Sequence, residues 1–231
     1  MNVVLFGSTG ILGSRLKTKL EECNINLHCP TRQDCDITNY QEVSMLVDEI
    51  KPDIILHSAG FVNTREAEKK PDKCIDVNVM GTYNIIKKCR RNDIRLVYIS
   101  TEYVFDGTES PYRTTSAINP KGVYGITKSC GELLVKTLHN HLIIRAPFWR
   151  SETFNVPKAF TNQYTTRRYV HEVVDDIVKY CFSDEIGIKH VVGKYQSLFD
   201  LAKQTTDDVE GVPIPDEYVG ILPEKIELLE D

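Results

Sequence analysis

Residues 3–13 read VVLFGSTGILG, an apolar run that stops on a glycine and resumes at once as a helical pattern. A strand feeding a helix through so short a turn leaves backbone N–H groups unpaired at the helix start, where the helix dipole is positive. Glycines at 7, 10 and 13 keep side chains out of that turn. Beyond it Leu12, Leu16 and Leu20 recur at spacing four, and the alternation continues along the chain. INLHC, DIILH, RLVYIS and LIIR are strand-like runs, separated by helical stripes at Val43, Leu46, Val47 and Ile50, at Val79, Tyr83 and Ile86, and over about residues 124–138. Apolar strands without polar interleaving belong to a parallel sheet covered on both faces. The predicted fold class is therefore α/β, a doubly wound parallel sheet of Rossmann type.

The pattern divides the chain into a dinucleotide-binding part over 1–150 and an abbreviated substrate lobe over 151–231 that partly returns to the first. Residues 146–168 are aromatic, polar and poorly periodic. Helical periodicity returns over 170–181, KHVVG follows as a strand, and Ser197 caps a short helix. The last fifteen residues, ending EKIELLED, are acidic and expected to fray. Thr38 and Gln41 have capping-box spacing ahead of the second helix.

At 231 residues, with 41% hydrophobic and 26% charged residues, this is an ordinary globular composition. The net charge of -5 leaves no basic footprint for nucleic acid. KKCRRND (87–93) reads as a solvated helix end. No apolar run reaches the ~18 residues of a membrane span, and VVLF begins too early for a basic leader, so a cytoplasmic location is expected. The seven cysteines form no C-x-x-C pair and the six histidines are scattered, so reduced thiols and no metal site are expected.

Placed between the first strand and first helix of a βαβ unit, the glycine turn can seat a pyrophosphate against bare backbone. The alternative is a tight packing turn. The second strand ends in HCPTRQD, with no acid before Asp34 to take a ribose 2′-hydroxyl and with Arg32 available for a 2′-phosphate, which favours NADP(H) over NAD(H). Arg32 is otherwise a solvated loop residue.

Two Tyr-x-x-x-Lys pairs occur, Tyr83/Lys87 and Tyr124/Lys128, and spacing alone does not separate them. Gly7-x-x-Gly10-x-x-Gly13 with Tyr124 and Lys128 resembles the short-chain dehydrogenase/reductase superfamily. YISTEYVFDG (98–107) and PYRTTSAINPKGVYGITKSCGE (111–132) are similar to its extended, sugar-nucleotide-modifying branch, most closely the dTDP-4-dehydrorhamnose reductase family; the methionine adenosyltransferase regulatory β subunit is a relative. The resemblance covers residues 1 to about 150. It implies a catalytic set of Thr101, Tyr124 and Lys128, with Tyr124 giving a proton to a ketone oxygen as hydride arrives from the nicotinamide, and makes Tyr83/Lys87 the chance pair. It further implies cofactor contacts from Gly7, Thr9, Gly10, Ile11, Leu12, Gly13, Arg32, Asp36, Ile37, Ser58, Ala59 and Gly60 as well as Tyr124 and Lys128, a bracing role for Asn78, and a substrate pocket from Glu102, Tyr103, Val104, Phe105 and Phe148. Loop packing is the alternative for residues 102–105.

Three departures stand out. Glu102 replaces the family's Asp, Phe148 stands where a Trp is expected with Trp149 beyond it, and the interval 149–169 is too short for the usual long helix. The activity implied is NADPH-dependent reduction of a nucleotide-linked 4-keto-6-deoxy sugar. Alternatives are a bifunctional 3,5-epimerase/4-reductase and a non-catalytic NADP-binding subunit. A nucleotide sugar is the implied partner, and a homodimer is left open.

Overall fold

The computed structural model describes residues 1–218 and 220–230. Six parallel strands form the central sheet: β1 (Asn2–Phe6), β2 (Asn26–His28), β3 (Ile54–His57), β4 (Arg95–Ser100), β5 (His141–Arg145) and β10 (Gly187–His190). Their order is β10-β5-β4-β3-β1-β2. All five pairings are parallel. Strand β4 is buried at every position, as its unbroken apolar run demands. The order reverses between β1 and β3, so the crevice beyond their carboxyl ends is the topological switch point where such sheets take ligands.

Helices cover both faces. On one, α1 (Ile11–Glu21) buries Leu12, Leu16 and Leu20, and packs with α7 (Val170–Cys181), which contributes Val170, Val173, Val174, Ile177, Val178 and Cys181. On the other lie α2 (Tyr40–Ile50), α5 (Thr82–Asn92) and α6 (Gly122–Val135). Two short helices, α3 (Thr64–Lys69) and α4 (Pro71–Ile75), precede a π-helical turn at Asp76–Gly81 that runs into α5. The helix over 170–181 and the strand RLVYIS have the bounds the sequence predicts.

Two expectations are corrected. Asn39, not Thr38, caps α2, its side chain accepting from the Gln41 N–H, because Thr38 is taken by the Asp36 carboxylate. The acidic end does not fray over 226–229. Ile226 and Leu228 are 2% exposed, and Tyr112 clasps the strand-like segment through its N–H to Glu227 and its carbonyl from Leu229.

Residues 146–169 carry no helix. They form β6 (Phe148–Trp149), β7 (Lys158–Phe160), β8 (Tyr164–Thr165) and β9 (Arg168–Tyr169), paired within small two-stranded sheets that include β11 (Gln196–Ser197) and β12 (Glu210–Val212). Phe154, Ala159, Tyr169, Leu198, Leu201 and Val209 give this part its own apolar cluster. Ser197 caps α8 (Leu198–Lys203) as expected. These brief strands fill the interval, while α7 and β10 return to the main sheet.

Candidate functional site

The glycine turn leaves β1 at the switch point. Gly7 has φ +87, and a Cβ there would stand 2.5 Å from the Ala59 nitrogen, so the turn lies directly against the loop leaving β3. A Cβ on Gly13 would fall 1.9 Å from the Gly7 carbonyl oxygen, so the helix can approach this closely only with glycine. Gly10 caps α1 without a side-chain hydrogen bond, leaving the first helical N–H groups open to an anion. Bare backbone, a free helix start and the exposed Thr9 and Ile11 fit a dinucleotide pyrophosphate. Leu12 is 6% exposed and packs in the core, so it can offer only backbone.

Across the crevice, the Ser58 hydroxyl donates to the Phe6 carbonyl at 2.8 Å, tying the β3 loop to β1 and leaving Ala59 and Gly60 at the edge. Asn78 holds the same loop, accepting from the Phe61 N–H at 2.7 Å and donating to the Phe61 carbonyl and to the Thr127 hydroxyl of α6. Rather than bracing the sheet, as the resemblance implies, it ties the loop after β3 to α6, from within the π-helical turn, a local distortion frequent beside functional sites. Arg32 and Asp36 are paired at 2.9 Å, with Arg32 solvent-facing. Ile37 is 7% exposed and fills the space over Gly81, so its side chain is core.

Thr101, Tyr124 and Lys128 converge at the carboxyl end of β4. Thr101 follows the strand directly and its hydroxyl accepts from the Tyr103 N–H. Tyr124 and Lys128 are one turn apart on α6, which crosses that strand end because Gly125 and Gly131 permit contact. A Cβ at Gly125 would lie 2.4 Å from the Tyr103 carbonyl, and at Gly131 2.3 Å from the Tyr98 hydroxyl. Tyr124 is half-buried. Burial pushes its phenol well above the ordinary tyrosine value, while the hydrogen bond with Thr101 and the positive charge of Arg167 pull it back. Burial likewise lowers Lys128 to about 7, against the pull of Glu132 and Cys74. Its ammonium donates to the Ile99 carbonyl at 2.7 Å and lies 3.9 Å from the Tyr98 ring centre. Ser100 Oγ and His57 Nδ1, both buried at strand ends, have no protein partner. Tyr83 and Lys87 instead sit on the outer face of α5, with Lys87 3.5 Å from the Tyr40 ring centre. They are a packing pair.

The residues expected to line a substrate pocket divide. Tyr103 stays at the site, its ring edge-on to Tyr124 at 6.1 Å. Phe148 is half-buried at the fringe of the main core. Val104 and Phe105 are 0% exposed and belong to a cluster with Tyr112, Ile226 and Leu228, so neither has surface to give a substrate. Glu102 is 2% exposed, and both its oxygens are occupied by Thr165 at 2.6 Å and Arg167 at 2.7 Å. Loop packing therefore accounts for residues 102, 104 and 105. Arg167 and Thr165 escaped sequence reasoning because their partner lies 65 and 63 residues away with no local pattern to announce it.

Among the described residues no His/Cys/Asp/Glu group could hold a metal, all seven cysteines are free, and no helix is long and apolar enough to cross a membrane. Residues 1–180 match the family described as the RmlD substrate binding domain. dTDP-4-dehydrorhamnose reductase of Aggregatibacter actinomycetemcomitans is 29% identical over 189 residues, 80% of this chain and 64% of that protein. Methionine adenosyltransferase 2 subunit beta of Xenopus tropicalis is 31% identical over 154 residues, 62% of this chain and 46% of that one. The chain thus spans less than two thirds of either relative. The crystal structure of Bacillus anthracis dTDP-4-dehydrorhamnose reductase in complex with NADP superposes with a TM-score of 0.88 at 27% identity, over all of this chain and 90% of the other. Family match, shared fold and a glycine turn facing a Thr, Tyr and Lys set agree: the chain belongs to the RmlD substrate-binding domain family.

Proposed function

We propose that the protein is an NADPH-dependent reductase of a nucleotide-linked 4-keto-6-deoxy sugar, of the dTDP-4-dehydrorhamnose reductase type. The convergence of Thr101, Tyr124 and Lys128 beside the glycine turn carries this reading. The turn at Gly7–Gly13 would hold the pyrophosphate, Arg32 the adenosine 2′-phosphate, and Ser58, Ala59 and Gly60 the middle of the cofactor. Bound there, the nicotinamide supplies hydride to the ketone carbon.

The chain's own residues supply the proton. Thr101 and Tyr124 together hydrogen-bond the ketone oxygen, and Tyr124, a neutral phenol at pH 7 that burial raises further, gives its proton as negative charge develops there. Lys128, held by the Ile99 carbonyl, would also hold the nicotinamide ribose. The occupied Glu102 carboxylate leaves sugar recognition to Tyr103 and Phe148 among the expected pocket residues.

NADPH oxidation against a panel of dTDP- and UDP-linked 4-keto-6-deoxy sugars tests this reading. Turnover of one nucleotide series establishes it, and no turnover with NADPH bound rejects it. A second reading, a binding subunit for an unrelated enzyme, draws support from the similar identity to the adenosyltransferase β subunit. It requires co-purification with that enzyme in the absence of turnover.

A further inference from the structure

Arg167 is a buried cation that the proton-transfer scheme above leaves unused. Its side chain is 11% exposed, and it lies in the short link between β8 and β9, remote in sequence from everything it touches. Its Nε donates to Glu102 Oε1 at 2.7 Å, and its terminal nitrogen lies 2.6 Å from the same oxygen and also reaches the Tyr103 hydroxyl. The guanidinium stacks 5.4 Å from the Tyr103 ring centre, and that ring meets Tyr124 edge-on at 6.1 Å. Thr165, on β8, closes the other Glu102 oxygen at 2.6 Å. The result is an unbroken series of contacts from Thr165 through Glu102, Arg167 and Tyr103 to the proton donor.

A buried ion pair is weak evidence for stability, because removing two charges from water costs about what their attraction returns. What it does supply is geometry. The planar fork of an arginine holds two acceptors at once, as a lysine ammonium on a flexible stem does not. An edge-to-face ring contact then fixes the tilt of the second ring.

We propose that Arg167 is the positioning residue for Tyr124, acting through the Tyr103 ring, and that Glu102 serves to seat Arg167 rather than to touch the sugar. This rests on the reductase reading for its kinetic consequences, though not for its structural ones. The groups that bear on the Tyr124 phenol are Thr101 just past β4, Tyr98 within it, Tyr103 beyond, Cys74 on α4, and Arg167 from the β8–β9 link. Arg167 is the cation among them that faces Tyr124 from a different element.

The test compares Tyr103→Phe, Arg167→Lys and the double variant Glu102→Gln/Arg167→Met, which leaves no buried charge alone. Arg167→Lys and the double variant should lose at least about tenfold in kcat with NADPH affinity unchanged. In the double variant the alkaline limb of kcat should move to higher pH, since a charge favouring phenolate is gone. Tyr103→Phe keeps the ring and the ion pair, so it should lose less, and it decides the matter if the double variant does not fold. Arg167→Lys restoring wild-type kcat, or a folded double variant with wild-type kcat and pH limb, would reduce Arg167 to a strut and overturn the proposal. If the wild type turns over no keto sugar, the reductase reading fails by itself. The Cζ resonance of Tyr124 in ring-labelled protein, assigned by its loss in Tyr124→Phe, then decides. Tyrosinate onset moving to higher pH in the double variant supports the positioning role, and an unmoved onset rejects it.

Discussion

At the scale of single residues, the site is defined by groups whose ordinary chemistry burial has shifted. Lys128 is held down to about 7 from 10.5, so the folded state resists a proton that the unfolded chain accepts. The penalty is fully present below pH 7 and is relieved as pH rises from 7 toward 10.5, so Lys128 makes stability climb over that interval. Raised tyrosines such as Tyr124 and Tyr98 act oppositely near pH 10 and above, which confines the clean window to about pH 7–9.5. Thermal melts of wild type and Lys128→Met across that window should show a slope in the first that flattens in the second, and parallel curves would contradict the assignment. Arg32 offers a second check. It is solvent-facing and its pairing with Asp36 is of the exposed kind, worth at most about 1 kcal/mol, so a 2′-phosphate can recruit it cheaply. Arg32→Ala should therefore raise the NADPH KM about tenfold while leaving the NADH KM unchanged, a charge-assisted contact being worth about 1.5–3 kcal/mol. Equal effects on both cofactors would move Arg32 out of the site.

At the scale of elements, α6 is joined to β5 by a pair with no exposure at all. Arg145 donates through Nε and a terminal nitrogen to the two oxygens of Glu132, at 2.9 and 2.7 Å, and stacks over Phe105. Because α6 carries Tyr124 and Lys128, this pair fixes the helix against the sheet. Arg145→Met alone strands a buried carboxylate and should cost about 3–5 kcal/mol, whereas Glu132→Leu/Arg145→Met should recover most of it. Urea denaturation of the four proteins of the cycle measures this, and an additive double variant would mean that the pair does not couple. The sequence announces such elements unevenly. The stripe Leu12, Leu16 and Leu20, the run RLVYIS and the helix over 170–181 are legible because each is periodic within itself. Thr38 has the right spacing for a cap but is intercepted by Asp36, and the stripe beginning at Val79 reads as ordinary helix although that residue lies in the π-helical turn at Asp76–Gly81. The candidate site follows the same rule. Its glycines and the Tyr124/Lys128 spacing are local signals, while the seating of Glu102 by Arg167 depends on a contact that only the folded chain creates.

At the scale of the whole molecule, we propose that the boundary near residue 150 is one of function more than of folding. Helix α7 lies against α1 with six buried apolar or thiol side chains, and β10 adds the outer strand beside β5. Even at the lower end of ~1.5–3 kcal/mol for each large apolar side chain, losing α7 removes about as much as a domain's net stability. A fragment of residues 1–150 should show no cooperative thermal transition by circular dichroism, while the full chain shows one. A sharp melt of the fragment would establish two independent domains. The docked strand over 226–229 packs Ile226 and Leu228 on Val104, Phe105 and Tyr112, and a second small cluster forms around Phe154 and Leu201. The claim on which the account turns is that Tyr124 donates the proton in this crevice. It is tested most directly by single-turnover reduction of a dTDP-linked 4-keto-6-deoxy sugar by NADPH, with wild type beside Tyr124→Phe. The expected result is a rate lower by about 10²–10⁴ in the variant at unchanged NADPH affinity. Equal rates in the two proteins would contradict it.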